Sequence, residues 1–374
     1  MEEKMAERIA VVVADNIVSP LGFTTEDNYA AVKDGRSALQ RYEGQWGLPE
    51  PFMAGLIDRE ATLSECRKEG IGESFTMVER MAILSITKAV RQCQADMASD
   101  RTLLILSSTK GDIEVLLGET AKTIATHFGM TRQPIVVSNA CISGVCAQIE
   151  AWRMIKAGLY DHIIVCGVDV LCPFIVTGFQ SLKALTDTPC RPFDEKRTGI
   201  NLGDAAATIV YEAVDSAEIT DGTWYVANGS IRNDAFHISS PSNTGEGCYR
   251  ALQHVMAHEN VDDVAFLNAH GTATLFNDEM ESVAIDRAGL SHVPVNSLKG
   301  YYGHTMGAAG VLESVISMHA LDEGIILGTR GFEALGVSRV INVQAHHGHT
   351  DKTMFVKMMS GFGGCNAAML FKKF

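Results

Sequence analysis

Cys141 is a nucleophile candidate by its setting. It follows the apolar run Pro134-Ile-Val-Val-Ser138 and a small-residue turn, Asn139-Ala140, and it precedes a helix-period segment from Val145 to Ala157. A thiol at a strand-to-helix turn faces unpaired helix N–H groups. The positive end of the helix dipole lowers its pKa and favours the thiolate, and the same N–H groups can hold an oxyanion. A lone cysteine among nine is more often a packing residue, the reading that suits Cys146 inside the helix. In the second half, His270 follows the apolar strand Val264 to Leu267 in Asn-Ala-His-Gly-Thr. Strand ends are where α/β sheets carry reactive groups, although a structural histidine fits the same place. Lys299 and His304 follow a further strand in Lys-Gly-Tyr-Tyr-Gly-His-Thr, and the small residues Gly307-Ala-Ala-Gly310 suit a helix start pressed against a neighbour. Ser360-Gly361-Phe362-Gly363-Gly364-Cys365-Asn366 is a glycine-rich turn, which permits φ > 0 and close backbone approach to a ligand.

Apolar β-branched runs alternate with helix-period segments along the whole chain, the pattern of an α/β protein with buried strands. Strands are expected at Ile9–Ala14, Thr102–Ser107, Pro134–Ser138, His162–Gly167, Ala206–Tyr211, Trp224–Ser230, Val264–Leu267, Val295–Leu298, Val340–Val343 and Ala367–Phe371. Helices are expected at Thr76–Ala95, Val145–Ala157, Asp278–Arg287 and Ala308–Leu321; in the last, Leu312, Val315, Ile316 and His319 follow a helix period. The order strand, glycine turn, helix occurs twice. It suggests two related α/β halves, residues 1–218 with Cys141 and residues 219–374 with the two histidines and Lys299, split where Asp, Glu and Gly concentrate near Ala217–Gly222.

The 374 residues carry 31 Lys+Arg against 45 Asp+Glu, a net charge of −14. That excess disfavours sequence-independent nucleic-acid binding, and any acidic partner must dock on a local basic cluster. No uncharged stretch reaches the roughly 18 to 20 apolar residues of a membrane span. The charged N-terminus leads into an apolar run too short for a signal-peptide core, so a cytoplasmic location is expected. Nine irregularly spaced cysteines suit reduced thiols, with no Cys-x-x-Cys pairs to suggest zinc.

Taken together, these segments resemble the β-ketoacyl-acyl-carrier-protein synthases of the Cys-His-His branch, within the thiolase-like superfamily. The resemblance runs from Ile17-Val-Ser-Pro-Leu-Gly22 through Asn139-Ala-Cys141, Arg191-Pro-Phe-Asp194, Gly199-Ile-Asn-Leu-Gly203, Asn268-Ala-His270-Gly-Thr, Lys299 with Gly303-His304-Thr, and Gly307-Ala-Ala-Gly310 to Gly361-Phe-Gly-Gly364. It implies a five-layered αβαβα thiolase-like fold of two related halves and a decarboxylative Claisen condensation. Cys141 would accept an acyl group from a carrier thioester. His270 and His304 would hydrogen-bond the thioester carbonyl of a malonyl extender, Lys299 would polarise the site, and Glu313 would be its carboxylate partner. The N–H groups of Cys141 and Phe362 would form the oxyanion hole, with the Phe362 ring as gate.

The resemblance implies no metal or organic cofactor, an acyl carrier protein bearing phosphopantetheine thioesters as partner, and a homodimer or a heterodimer with a synthase-like chain. The alternative is a partner-dependent, chain-length-factor-like subunit. Departures from the housekeeping enzymes are a shorter stretch between Arg101 and Cys141, no basic cluster on the helix from Thr76, and Gly328-Thr-Arg-Gly-Phe332 in place of a proline-rich stretch. They suggest a specialised, polyene- or polyketide-like lipid product. Lys196 and Arg197 are the candidate carrier-docking pair. Asp278 and Glu281 are expected to support the His270 loop or cap the next helix rather than act as acid and base. His346, His347 and His349 read as a solvated loop rather than a metal site.

Overall fold

A computed structural model describes residues 8–374; the charged N-terminal segment of residues 1–7 lies outside the described residues. The first half contains β1 (Arg8–Val18), α1 (Met77–Val90), β2 (Thr102–Ser107), β3 (Ile135–Val137), α2 (Ser143–Lys156), β4 (His162–Asp169) and β5 (Ala205–Asp215). The second contains β6 (Trp224–Asn233), α3 (Glu246–Val255), β7 (Val264–Asn268), α4 (Leu275–Arg287), β8 (Pro294–Asn296), α5 (Ala309–Asp322), β9 (Met354–Gly361) and β10 (Cys365–Lys373).

The sheet order is β3-β2-β4-β5-β1 in one half and β8-β7-β9-β10-β6 in the other, the same order five strands later. Directions match too. The second strand of each half lies parallel to the third and fourth, and the fifth runs antiparallel to the fourth and the first. The two halves meet where Val11 of β1 pairs with Tyr225 of β6, and Asn342–Val343 adds a short edge beside β8.

Strand periodicity builds the layers. Successive residues point to opposite faces, so in β4 Ile163 and Val165 enter a central core while Ile164, Cys166 and Val168 enter an outer one. In β9 Phe355 and Met359 face the centre while Met354, Val356 and Met358 face α3 and α4. With apolar residues on both faces, each sheet must be covered twice. Helices α2 and α5 fill the centre, α1 covers the first half outside, and α3 and α4 cover the second, giving the thiolase-like αβαβα order. Helix α5 is therefore buried almost all round, with only His319 and Asp322 reaching the periphery, rather than along one stripe.

The close crossing of α2 and α5 depends on glycine. A Cβ on Gly310 would sit 2.5 Å from the Val145 nitrogen, and one on Gly144 would sit 2.9 Å from the Gly307 oxygen. Three expected strands shorten: Pro134–Ser138 to Ile135–Val137, Val295–Leu298 to an end at Asn296, because Lys299–Tyr302 turns into a helical turn, and Val340–Val343 to Asn342–Val343. Strand β9 was not among the expected strands, since Lys357 interrupts its apolar run. No helix among the described residues is long and apolar enough to cross a membrane.

Candidate active site

Cys141 sits between β3 and α2. Ala140 before it has φ 46°, a left-handed value that costs a non-glycine residue about 1 kcal/mol or more and turns the chain sharply into the helix. Ser143 Oγ fixes the turn by accepting from Asn139 N and donating to Ala140 O. The cysteine is 9% exposed at the floor of a cleft that opens to solvent.

His270 and His304 arrive from the second half. The Cys141 sulfur and the two rings place one ligand atom each within 4.8 Å of one another, and the ring centroids lie 5.0 Å apart at 82°. His270 follows β7, and its loop is clamped by two buried carboxylates. Glu281 accepts from His270 N and Gly271 N, both at 2.7 Å, while Asp278 accepts from Thr272 N at 2.9 Å and Phe193 N at 2.7 Å. Both acids support the loop, and burial pushes Asp278 up to about 6 and Glu281 to about 7. His304 is held against the Gly199–Gly203 segment, donating from its N to Asn201 O at 2.7 Å and accepting at its O from Gly203 N at 3.0 Å. Gly303, at φ 75°, is required there, because a Cβ would meet Leu202 O at 2.2 Å.

The ring chemistry follows from what each nitrogen touches. His304 Nδ1 accepts from Met306 N at 3.3 Å, so the proton resides on Nε2. Nε2 is buried without a hydrogen-bond partner, and so is His270 Nδ1. Unpaired buried polar atoms are costly and rare, and they point to a ligand group that completes them. Burial first, then the charge of Lys299, hold both imidazoles well below their ordinary pKa and keep them neutral. One sulfur and two imidazoles also form a zinc-like donor set. His304 could coordinate through Nε2 only by moving its proton to Nδ1, against the Met306 N–H.

Lys299 is fully buried, and its Nζ donates to Glu313 Oε1 at 2.5 Å, joining the turn after β8 to α5. Lys357, on β9, was not foreseen at all. It is also fully buried, and its Nζ reaches Glu313 Oε2 at 2.5 Å and Asn268 Oδ1 at 2.7 Å. The only advance signal was a lysine inside an apolar run four residues before Gly361.

The glycine-rich turn caps the β9–β10 hairpin, with Gly361 paired to Cys365 and positive φ at Gly363 and Gly364. A Cβ on Gly361 would lie 3.1 Å from Cys141 N, so the turn approaches Cys141 closely. Burial pushes the Cys141 thiol up to about 12, against the opposing pull of the Phe362 and Cys141 N–H groups. The expected thiolate at rest is thus corrected: desolvation outweighs the helix terminus. The Phe362 ring is 37% exposed and stacks on Phe179, with centroids 5.7 Å apart, at the cleft wall.

The docking pair separates. Lys196 is exposed, 3.8 Å from an equally exposed Glu333. Arg197 is a correction. It is 7% exposed, and its guanidinium donates inward to Asp194 O, Gly336 O and Leu275 O and lies 3.9 Å from Asp278. Of the histidine loop, His347 is engaged, its Nδ1 accepting from Gly328 N at 2.9 Å.

Comparison with known proteins agrees with this geometry. Residues 107–217 match the β-ketoacyl synthase N-terminal domain and residues 225–333 the C-terminal domain. The chain is 29% identical to the 3-oxoacyl-[acyl-carrier-protein] synthase 2 of Staphylococcus aureus across 99% of this chain and 100% of that one. It is 32% identical to the enzyme of the same name from Rhizobium meliloti across 64% of this chain and 60% of that one. Among solved structures it superposes with a ketosynthase in complex with its chain length factor from Xenorhabdus doucetiae, with TM-score 0.86, 22% identity and full coverage of both chains. It also superposes with a type II polyketide synthase ketosynthase complexed with its acyl-carrier protein, with TM-score 0.84, 18% identity and coverage of 98% of this chain and 100% of that one. With both family domains in order around a Cys-His-His cluster, this chain is a thiolase-fold ketosynthase, a member of the β-ketoacyl synthase family of acyltransferases.

Proposed function

We propose that the chain extends acyl groups by decarboxylative Claisen condensation on carrier-bound thioesters. The observation that carries this reading is the meeting of the Cys141 sulfur with the buried His270 and His304 rings, one nitrogen of each within 4.8 Å, at the cleft floor. Cys141 attacks the carrier thioester, its proton leaves with the departing pantetheine thiol, and the acyl group stays on Sγ. The malonyl thioester then enters with its carbonyl oxygen against the two imidazoles. Their N–H groups stabilise the enolate formed as carbon dioxide departs, a task for fixed dipoles in a dry site. The enolate carbon attacks the acyl carbon, and the tetrahedral oxyanion is held by the N–H groups of Cys141 and Phe362. Collapse breaks the C–S bond, releases the β-ketoacyl carrier, and the sulfur takes up one proton. No step calls for a metal or an organic cofactor.

The natural substrates on this reading are acyl and malonyl groups on an acyl carrier protein, in fatty-acid or specialised lipid synthesis. A second synthase-like chain fits the open edge strand β3. Its residues are half-buried, and Leu116 and Ile113, 80% and 55% exposed, precede the helix Leu117–His127 that packs against it. Whether that chain is a second copy or a chain-length-factor-like partner decides if this subunit works alone.

Intact-protein mass after incubation with a panel of acyl-carrier thioesters, with Cys141→Ala beside the parent and malonyl-carrier added second, tests the reading. A Cys141-dependent adduct that disappears on extension, leaving a product two carbons longer, is expected. No adduct from any donor turns the assignment to the partner-dependent subunit.

A further inference from the structure

Lys357 is a fully buried cation that the chemistry above leaves without a task. Strand β9 places it opposite Asn268 of β7, two residues before His270. Its Nζ donates to Asn268 Oδ1 at 2.7 Å and lies 3.4 Å from Asn268 O, while Asn268 Nδ2 donates to Asn296 Oδ1 on β8 at 2.7 Å. The same Nζ meets Glu313 Oε2 at 2.5 Å, and Lys299 meets Oε1 at 2.5 Å. Two ammonium groups therefore share one carboxylate. A Lys299–Glu313 pair by itself would be neutral; the second lysine leaves one net positive charge in a desolvated site. Burying an extra charge costs several kcal/mol even after relaxation. Its strand neighbours Val356 and Met358 are apolar, and a methionine of similar length would fill the space without that cost.

We propose that Lys357 is a positioning residue that ties the His270 end of β7 to Glu313 and gives the Lys299–Glu313–Lys357 cluster a net charge of plus one, keeping the imidazoles neutral to lower pH and forming the enolate in a more positive field. The inference rests on the condensation reading above. The groups involved are few. His270 faces Lys299, His304 and Lys357; His304 faces Lys299 and Lys357; Lys357 faces Glu313, Lys299 and Glu281. An added cation opposes protonation of either ring. For His304 the consequence is geometric, because a proton on Nδ1 would confront the Met306 N–H and displace the ring. Burial, opposed by Glu313, brings Lys357 itself down to about 8, so the positive field fades above that pH.

The test separates the two half-reactions. Cys141 is loaded from an acyl-carrier thioester, and single-turnover extension by malonyl-carrier is followed by mass from pH 5 to 9.5 in the parent, Lys357→Met and Lys357→Gln. Both variants are expected to load Cys141 like the parent. Extension should fall about tenfold near neutral pH, with the acid limb displaced upward by about one pH unit, since a unit of pKa is a tenfold change in population. The Gln variant, which can still donate to Asn268 but carries no charge, should keep part of the rate while showing the same upward shift of the acid limb. A variant that loads normally and extends with the parental rate and pH profile overturns the proposal. A parent that never loads overturns the condensation reading instead. Should neither variant load, Lys357→Arg, which keeps the charge, decides by the same assay: extension with the parental acid limb supports the role of the charge, and an acid limb displaced upward overturns it.

Discussion

The two halves share one strand order, yet the site uses them differently. In each half the third strand leads through a tight turn into a central helix: β3 into Cys141 and α2, β8 into Lys299, His304 and α5. The first half supplies Cys141, set in the same apolar cluster as Ile142, Val145 and Cys146. The second half supplies both imidazoles and the buried Lys299, Lys357, Glu313, Asp278 and Glu281. On the proposed reading one half would hold the acyl group and the other would stabilise the carbanion. Two halves of one strand order let desolvation raise the thiol pKa on one side while a concentrated charge network is maintained on the other.

That division predicts separable defects. Cys141→Ala should abolish the acyl adduct while leaving malonyl-carrier decarboxylation measurable as carbon dioxide release. His270→Ala and His304→Ala should each keep the adduct and lose decarboxylation by about 10²- to 10³-fold, the usual cost of one preorganised donor. Equal loss of both partial reactions in all three variants would show that the halves do not divide the work.

How far this was legible depends on what kind of signal each residue gave. Cys141, His270, His304 and Lys299 stand at strand ends in short glycine-bearing motifs, and local spacing with the family resemblance located them. The strand order itself was not readable, because non-local pairing leaves no periodic trace. Lys357 was missed for the same reason. Its partners Asn268 and Glu313 are 89 and 44 residues away, and a lysine in an apolar run suggests an interruption until the pairing is known. The thiol pKa was misjudged because the turn showed the helix terminus but not the burial. Arg197 was misread because a Lys-Arg pair on a loop looks solvated; only the fold shows which of the two turns inward.

The contact between the halves is the next place to break the comparison. Gly310 of α5 meets the backbone of α2 so closely that any side chain must push the helices apart. Gly310→Ala should cost about 3 kcal/mol, at the upper end for overpacking, since two of the opposing atoms, Val145 N and Gly144 C, are backbone and cannot rotate away. Denaturant unfolding by tryptophan fluorescence checks it. Because α2 and α5 serve both sheets, both halves should weaken in one transition, and two resolved transitions would mean that the halves fold as separate units.

Adjacent residues sharpen the comparison at the smallest scale. Lys196 and Arg197 both belong to the first half, but Arg197 reaches Gly336 O and Leu275 O and faces Asp278, so it fastens the His270 loop from across the divide. Removing one partner of a buried pair costs about 3 to 5 kcal/mol when the other charge is stranded. Here the loss should be nearer 2 kcal/mol, because Asp278 already sits near pH 6 by burial and can take up a proton. The sign follows from Asp278. Arg197 favours its carboxylate form, so Arg197→Met should be more destabilising at pH 8, where an ionised Asp278 is left without its cation, than at pH 5.5, where it is largely protonated. Lys196→Glu, by contrast, should leave stability within about 0.5 kcal/mol at either pH, since its exposed pair with Glu333 is long and screened. Thermal unfolding of both variants at the two pH values distinguishes them. A pH-independent loss in Arg197→Met would assign its role to the carbonyl contacts alone and detach it from the clamp on His270.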